Sequence, residues 1–256
     1  QHFTLANVDR VYFVGLQNYA RILSDVSGFW HPVKISAIYA LGTVPVNLAI
    51  ALGLALLIVP LGERAGNVFK AALYLPSVVS AVVLAVIMKW IFSPMDGLMN
   101  ILLQRLGLQP LGWYADPDWA LFTLIVMSWV TANGWGVILY SAALKRIPRH
   151  LYEAADMDAA SGWSKFKNIT WPLLKPTTLY VLIIGLIGAF QQFGGAFLIT
   201  KGGPIRSTEF INWRIYELFY MEGNFGMAAA WSVLLALMVM AVAAINFRLF
   251  GSDLEY

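Results

Sequence analysis

The chain has 256 residues, of which 59% are hydrophobic and 12% charged, with a formal net charge of +3 and no cysteine. A soluble domain clothes its core with about 25% charged residues, so this composition excludes an ordinary soluble body. It equally excludes intrinsic disorder, which needs low hydrophobicity and high net charge, and a disulfide scaffold. What remains is an integral membrane protein.

Residues 1–34 carry no span. Val14–Leu23 reads as a short amphipathic helix, with Val14, Leu16, Tyr19, Ile22 and Leu23 apolar against Gln17, Asn18 and Arg21. The chain opens on Gln1, with no basic n-region or small-residue cleavage site before this helix, so no signal peptide is expected and the true N-terminus is expected to lie further upstream. Five uncharged runs follow: Ile35–Gly62, Ala71–Met88, Trp119–Leu144, Pro176–Thr200 and Gly223–Phe247. A bilayer core of about 30 Å needs roughly 20 apolar residues in a helix. The second run reaches that length if Lys89 snorkels and Trp90–Met95 continues it. The runs are continuously apolar, whereas barrel strands alternate, so the expected class is all-α: a polytopic protein with five transmembrane helices. The expected organisation is an external segment at 1–34, a transmembrane domain at 35–250 with a long loop at 145–176, and a tail at 251–256.

That loop holds six of the 17 basic residues, Lys145, Arg146, Arg149, Lys165, Lys167 and Lys175, which makes it cytoplasmic. Alternation then puts Gln1–Lys34, Pro94–Asp118 and Lys201–Glu222 outside. Trp113, Tyr114, Trp119, Trp213, Tyr216, Phe219 and Tyr220 in the outer segments read as an aromatic belt or as contacts for an external partner.

Several chemistries have no residues to support them. There is no phosphate-cradling Gly-x-x-x-x-Gly-Lys-Ser/Thr and no Gly-x-Ser-x-Gly elbow. His2, His31 and His150 are too scattered for a metal site. The spans lack Asp, Glu and His, which disfavours an intramembrane hydrolase and a proton-coupled carrier. Uphill movement would therefore draw its energy from another subunit.

The loop itself is patterned. Pro148 suits the first turn of a helix, which then carries Leu151, Ala154, Ala155 and Met157 beside the acids Glu153, Asp156 and Asp158. Gly162 can end it, and Trp163, Phe166 and Ile169 form a second apolar stripe. Such a helix either lies on the lipid surface or enters a basic protein groove; the acids favour the groove.

This stretch resembles the EAA loop of membrane subunits of binding-protein-dependent ABC importers. Glu153, Ala154, Ala155, Asp158, Ile169 and Pro172 match, while Ala159 and Trp171 stand where glycine and leucine are usual. Val14-Gly15-Leu16-Gln17-Asn18-Tyr19, Leu75-Pro76, Gly97-Leu98-Met99-Asn100 and Thr200-Lys201-Gly202-Gly203-Pro204 with Thr208 extend the likeness to the carbohydrate-uptake branch, of maltose and glycerol-3-phosphate permease type. Relatives of that type have a further span before the Gly-Leu-x-Asn-Tyr segment, which fits the upstream N-terminus expected above.

The resemblance implies a type I importer permease fold in a prokaryotic inner membrane. It also implies a subunit that is not itself an enzyme, with ATP and Mg bound by a partner ATPase and no cofactor or metal in this chain. The implied partners are a second permease, two ATP-binding cassette subunits and an extracytoplasmic solute-binding protein; nucleic acid is not one. Glu153, Ala154, Ala155, Asp158 and Gly162 would couple to the ATPase. By alignment with the maltose type, Phe190, Gln191 and Gly194 would line the substrate path, with Ser128, Thr131, Ala132 and Trp135 from one span and Ser77 and Ala81 from another. Helix–helix glue is the competing role for these polar and small residues. Gly202, Gly203 and Pro204 would shape the loop that meets the binding protein. The implied cargo is a sugar, or else glycerol-3-phosphate or a glycerophosphodiester; the alternative outside transport is a structural membrane protein.

Overall fold

The computed structural model describes residues 13–131 and 134–250, the last two by backbone only. Every regular element among them is helical. Three helices are long and apolar enough to cross a membrane: α2 (Val26–Ile58, continued by a 3-10 turn to Leu61), α10 (Trp171–Phe190, reached through a helical lead-in from Gly162) and α12 (Phe225–Phe250). Two broken pairs, α3 (Glu63–Val78) with α4 (Ala81–Ile91) and α6 (Pro117–Thr131) with α7 (Gly134–Arg146), bring the number to five when each pair counts as one span. Short helices connect them: α1 (Gln17–Ser24), α5 (Leu98–Arg105), α8 (Arg149–Met157), α9 (Gly162–Lys165) and α11 (Ile211–Tyr216).

The second apolar run is not one helix. Val79 turns to extended backbone, and the Ser80 hydroxyl accepts the Val82 N–H at 3.3 Å, capping a new helix. Near the end of α4 the Lys89 ammonium lies 5.9 Å from the ring centroid of Tyr114, a residue of the segment expected outside. The fourth run also stops early, at Phe190. The short N-terminal helix begins at Gln17, and its buried residues are Asn18 and Ile22, whereas Leu16 and Leu23 are exposed.

Packing divides the chain into two units. Among the described residues, one comprises 13–43, 80–127 and 186–243; the other comprises 44–79, 128–131, 134–185 and 244–250. The first has a core of Ile22, Phe29, Ile211, Leu218, Trp231 and Leu235 among its buried residues. There the buried Ser36 hydroxyl accepts the Ile211 N–H at 3.2 Å, meeting a donor that a helix start leaves without an intrahelical partner. The second is built on Ala51, Leu52, Ala55, Val137, Tyr140 and Leu174. Its helices cross at small residues: a Cβ on Gly136 would come 2.8 Å from the Ala51 Cβ, and one on Gly134 would come 2.7 Å from the Tyr74 Cα. Close backbone approach through small residues is how helices associate in lipid, where apolar burial drives little. Large apolar side chains such as Leu41, Leu57, Val86 and Val130 remain exposed, as a lipid-facing surface requires.

The expected interfacial tryptophans divide. Trp113 and Trp213 are each 5% exposed and belong to the protein interior. The Trp113 indole N–H donates to Asn100 Oδ1 at 2.7 Å and its ring meets Phe92 edge-on. Phe219 and Tyr220 are the exposed rings of the set.

Candidate functional site

The patterned loop folds as α8 followed by α9. Pro148 is the N-cap of α8, with extended backbone at ψ 130°, a place where its missing N–H costs nothing. At the other end Asp158 N–H returns to the Ala154 carbonyl and Ala160 N–H to the Ala155 carbonyl. Between them Ala159 adopts φ +53°. This is the left-handed turn that glycine favours at helix C-termini, and it falls where the resemblance expects glycine. Gly162 does not end the helix. It opens α9 behind Ser161, whose hydroxyl accepts the Ser164 N–H at 3.2 Å.

The side chains of α8 separate into two roles. Tyr152 is tied back, its hydroxyl 2.8 Å from Thr170 Oγ1, and Asp156 pairs with Lys165. Glu153, Ala154, Met157 and Asp158 are exposed, Met157 by 89%, while Ala155 is half-buried. An acidic, small-residue face is thus presented while the helix is held from behind. Trp163 stacks on Phe166 at 5.5 Å but is itself exposed.

The segment Phe190–Gly195 lies at a helix end rather than within a span. α10 finishes at Phe190, and helical backbone resumes at Gly194 and runs into a π-helical turn at Ala196–Thr200. Gln192 fastens the break: its amide donates to the Tyr39 hydroxyl at 2.9 Å and its oxygen accepts the Phe193 N–H at 3.0 Å. Gln191 differs. Its carbonyl accepts from Asn212 Nδ2 at 2.6 Å, while its exposed side chain makes no hydrogen bond among the described residues. Phe190 packs on the first unit's core, and a Cβ on Gly194 would meet open space. Beside them a Phe193–Phe197–Tyr216 triangle continues as a row through Tyr220, Phe219 and Phe225, with neighbouring rings 4.8–5.4 Å apart.

The other path candidates fall in both units. Ala81, exposed at the start of α4, shares the first unit with Phe190, Gln191 and Gly194. Ser128, Thr131, Trp135 and Ser77 lie in the second. Ser128 accepts from Asn47 Nδ2 at 2.9 Å, a contact that also serves as helix–helix glue. Trp135 is exposed, with its ring 5.9 Å from Tyr180. It follows Gly134 at the crossing with α3, where Ser77 sits one turn past Tyr74. Ala132 lies outside the described residues.

In the loop 201–222 the Gly202–Gly203–Pro204 turn is closed by Thr208. The Thr208 hydroxyl donates to the Gly203 carbonyl at 2.8 Å and lies 2.7 Å from the Thr200 hydroxyl. Gly202 has φ +75°, and a Cβ there would overlap the Trp213 indole nitrogen. Glu209, 2% exposed, accepts both Arg206 Nε at 2.7 Å and Arg206 Nη2 at 2.8 Å. That pairing holds the Arg206 pKa above its ordinary value. The His31 ring nitrogen lies 2.9 Å from the Arg206 carbonyl.

Residues 40–250 match the family described as binding-protein-dependent transport system inner membrane component. The chain belongs to that family. The permease is 34% identical over 240 residues to the lactose transport system permease protein LacF of Rhizobium radiobacter, covering 92% of this chain and 80% of LacF. It is 30% identical to the arabinooligosaccharides permease AraP of Bacillus subtilis (94% and 77% covered) and 32% identical to the sn-glycerol-3-phosphate permease UgpA of Agrobacterium fabrum (95% and 83%). Its fold matches a chain of a bacterial ABC transporter that imports the acidic polysaccharide alginate, with a TM-score of 0.82, 22% identity, and 96% and 86% of the two chains covered.

Sequence reasoning missed several polar residues of the permease that organise these features. Asn212 pins Gln191, Tyr39 holds Gln192, and Asn47 reaches Ser128. Each acts on a residue distant in the chain, so periodicity carried no signal. An isolated amide in an apolar helix, as at Asn47, was the one available hint, since such a group must find a partner.

Proposed function

We propose that this chain forms half of the translocation path of an importer for a sugar, from mono- to oligosaccharide. A second permease supplies the other half, two ATP-binding cassette subunits supply the energy, and a solute-binding protein delivers the cargo. The observation that carries this reading is the exposed Glu153–Ala154–Asp158 face of α8, held from behind by Tyr152 and Asp156. Such a helix transmits force from a subunit that grips it, with Glu153 pairing a basic groove and the alanines allowing close approach. The names of LacF and AraP support a sugar as cargo, and the exposed Gln191 beside an aromatic row gives hydroxyls and C–H faces complementary contacts. UgpA supports a second reading, glycerol-3-phosphate or a glycerophosphodiester. Gly202, Gly203 and Pro204 shape the surface offered to the solute-binding protein.

The test is ATP hydrolysis by the assembled transporter in vesicles, with and without sugar-loaded binding protein. Glu153→Lys should abolish the stimulated rate and weaken retention of the ATPase. Unchanged stimulation would sink the coupling role. Stimulation by glycerol-3-phosphate and by no sugar would select the second reading.

A further inference from the structure

A cavity of about 350 Å³ opens in the first unit, apart from the path candidates, and three separate stretches of chain build it. The α1–α2 corner brings Arg21, Asp25 and Gly28; the outer loop and α11 bring Arg206, Arg214 and Glu217; and the core contributes Phe29 and Trp231. The two rings lie 5.7 Å apart.

The polar lining has hydrogen-bonding capacity left over. Arg21 makes no side-chain hydrogen bond or ion pair among the described residues, so all five of its N–H groups are available. Arg206 spends only Nε and Nη2 on Glu209. Arg214 spends Nη1, on Glu217 at 3.0 Å and Glu222 at 2.8 Å. Asp25 uses one oxygen, which accepts the Gly28 N–H at 2.9 Å and the Ser27 hydroxyl at 3.1 Å. Those bonds, the backbone one first, hold its carboxyl below the usual range, so at neutral pH the second oxygen is an ionised acceptor. That oxygen occupies the space a Cβ on Gly28 would fill.

The charges also decide what fits. Three arginines face Asp25 and Glu217 in the lining, with Glu209 and Glu222 directly behind. An anion meets no net positive field here, and a cation meets three guanidiniums. A neutral polyhydroxy ligand suits the set: each hydroxyl can accept from a guanidinium and donate to a carboxylate, above a floor closed by the buried rings of Phe29 and Trp231. The volume is at the lower end for ligand pockets, which limits the occupant to one or two sugar rings.

We propose that this cavity is a second sugar-binding site, at the N-terminal ends of α2 and α12, that holds one end of the cargo before it reaches Gln191. The proposal rests on the sugar reading above. It adds Arg21, Asp25, Arg206 and Arg214 as ligand contacts on the side of the membrane where the solute-binding protein delivers.

Saturation-transfer NMR and equilibrium dialysis on the assembled transporter in nanodiscs, without binding protein, test it. The probes are lactose, maltose, arabinotriose, glucuronate and inorganic phosphate. Saturable binding of at least one neutral sugar is expected, with glucuronate and phosphate weaker. Arg21→Ala should weaken sugar binding about tenfold, the worth of one charge-assisted hydrogen bond, and removes no hydrogen bond or ion pair of the fold among the described residues. Gly28→Ala, which displaces the Asp25 carboxylate, should weaken it similarly. Phosphate or glucuronate binding in preference to the neutral sugars overturns the proposal, as does sugar binding that is unchanged in both variants. If sugar drives ATP hydrolysis normally while both variants bind sugar as the wild type does, this site fails and the sugar reading stands. If no sugar binds or stimulates at all, the sugar reading fails with it.

Discussion

The side-chain amide of Asn212 donates a 2.6 Å hydrogen bond to the backbone carbonyl of Gln191. The last carbonyls of a helix have no intrahelical partner, and here one is met from α11, 21 residues later in sequence. With the Gln192–Tyr39 bond it fixes where α10 stops, and so where the Gln191 side chain is presented.

Asn212→Ala should leave that carbonyl to water or unpaired, costing about 1 kcal/mol of stability. The more telling readout is transport. If Gln191 touches sugar, Asn212→Ala should raise the transport KM several-fold with assembly intact, and Gln191→Ala should match or exceed that effect. Wild-type transport by Gln191→Ala would assign the residue to helix packing instead.

Ala159 gives the clearest stability prediction. It sits at φ +53°, where a Cβ costs about 1–2 kcal/mol. Ala159→Gly removes that cost and loses part of the gain to the freer unfolded chain, so the net stabilisation should be about 0.5–1 kcal/mol. Ala159→Val should destabilise by more than 1 kcal/mol, since branching worsens the clash. Limited proteolysis at residues 158–161 and thermal unfolding of the detergent-solubilised protein both report it, and equal stability of all three proteins would contradict the turn geometry.

Asn100 is fully buried with its amide fully used. It donates to the Pro94 carbonyl at 2.8 Å and the Leu111 carbonyl at 3.0 Å, and accepts from Leu111 N–H at 3.0 Å and the Trp113 indole at 2.7 Å. Asn100→Leu strands two carbonyls and two donors, so a loss of about 3–5 kcal/mol is expected. Trp113→Phe leaves one acceptor with fewer partners and should cost about 1–2 kcal/mol. In a double-mutant cycle the two effects should be non-additive, because they share a bond.

These residues mark how far the sequence could be read. Apolar runs located the membrane helices because lipid demands unbroken hydrophobicity, and Pro148 with Glu153-Ala154-Ala155 located α8 because its signals are local. The breaks at Ser80 and Gln192 were not legible. Uncharged sequence continues through both; a serine cap opens the new helix in one case, and a hydrogen bond to Tyr39 fastens the break in the other. Trp113 and Trp213 read as interfacial because a tryptophan near a span end ordinarily is; an amide partner and a glycine neighbour draw them inward. Gly162 drew attention as the loop's glycine, while backbone geometry put the left-handed turn on Ala159. The Arg21 cavity needed three distant stretches brought together, which no window of sequence shows.

Gly202 carries the last prediction, about the outer loop. Its φ of +75° favours glycine, and a Cβ would strike the ring of Trp213, which is buried and has little room to yield. Gly202→Ala therefore combines left-handed strain of about 1–2 kcal/mol with overpacking of about 1–3 kcal/mol. The strain falls on a turn closed by Thr208 and far in sequence from α8. The basal ATPase rate of the assembled transporter should accordingly stay near wild type, while stimulation by the loaded binding protein drops at least several-fold. Thr208→Val, which removes the closing hydroxyl and keeps the shape, should give a milder form of the same split. A uniform fall in basal and stimulated rates would show instead that the turn supports the whole fold rather than the surface presented to the binding protein.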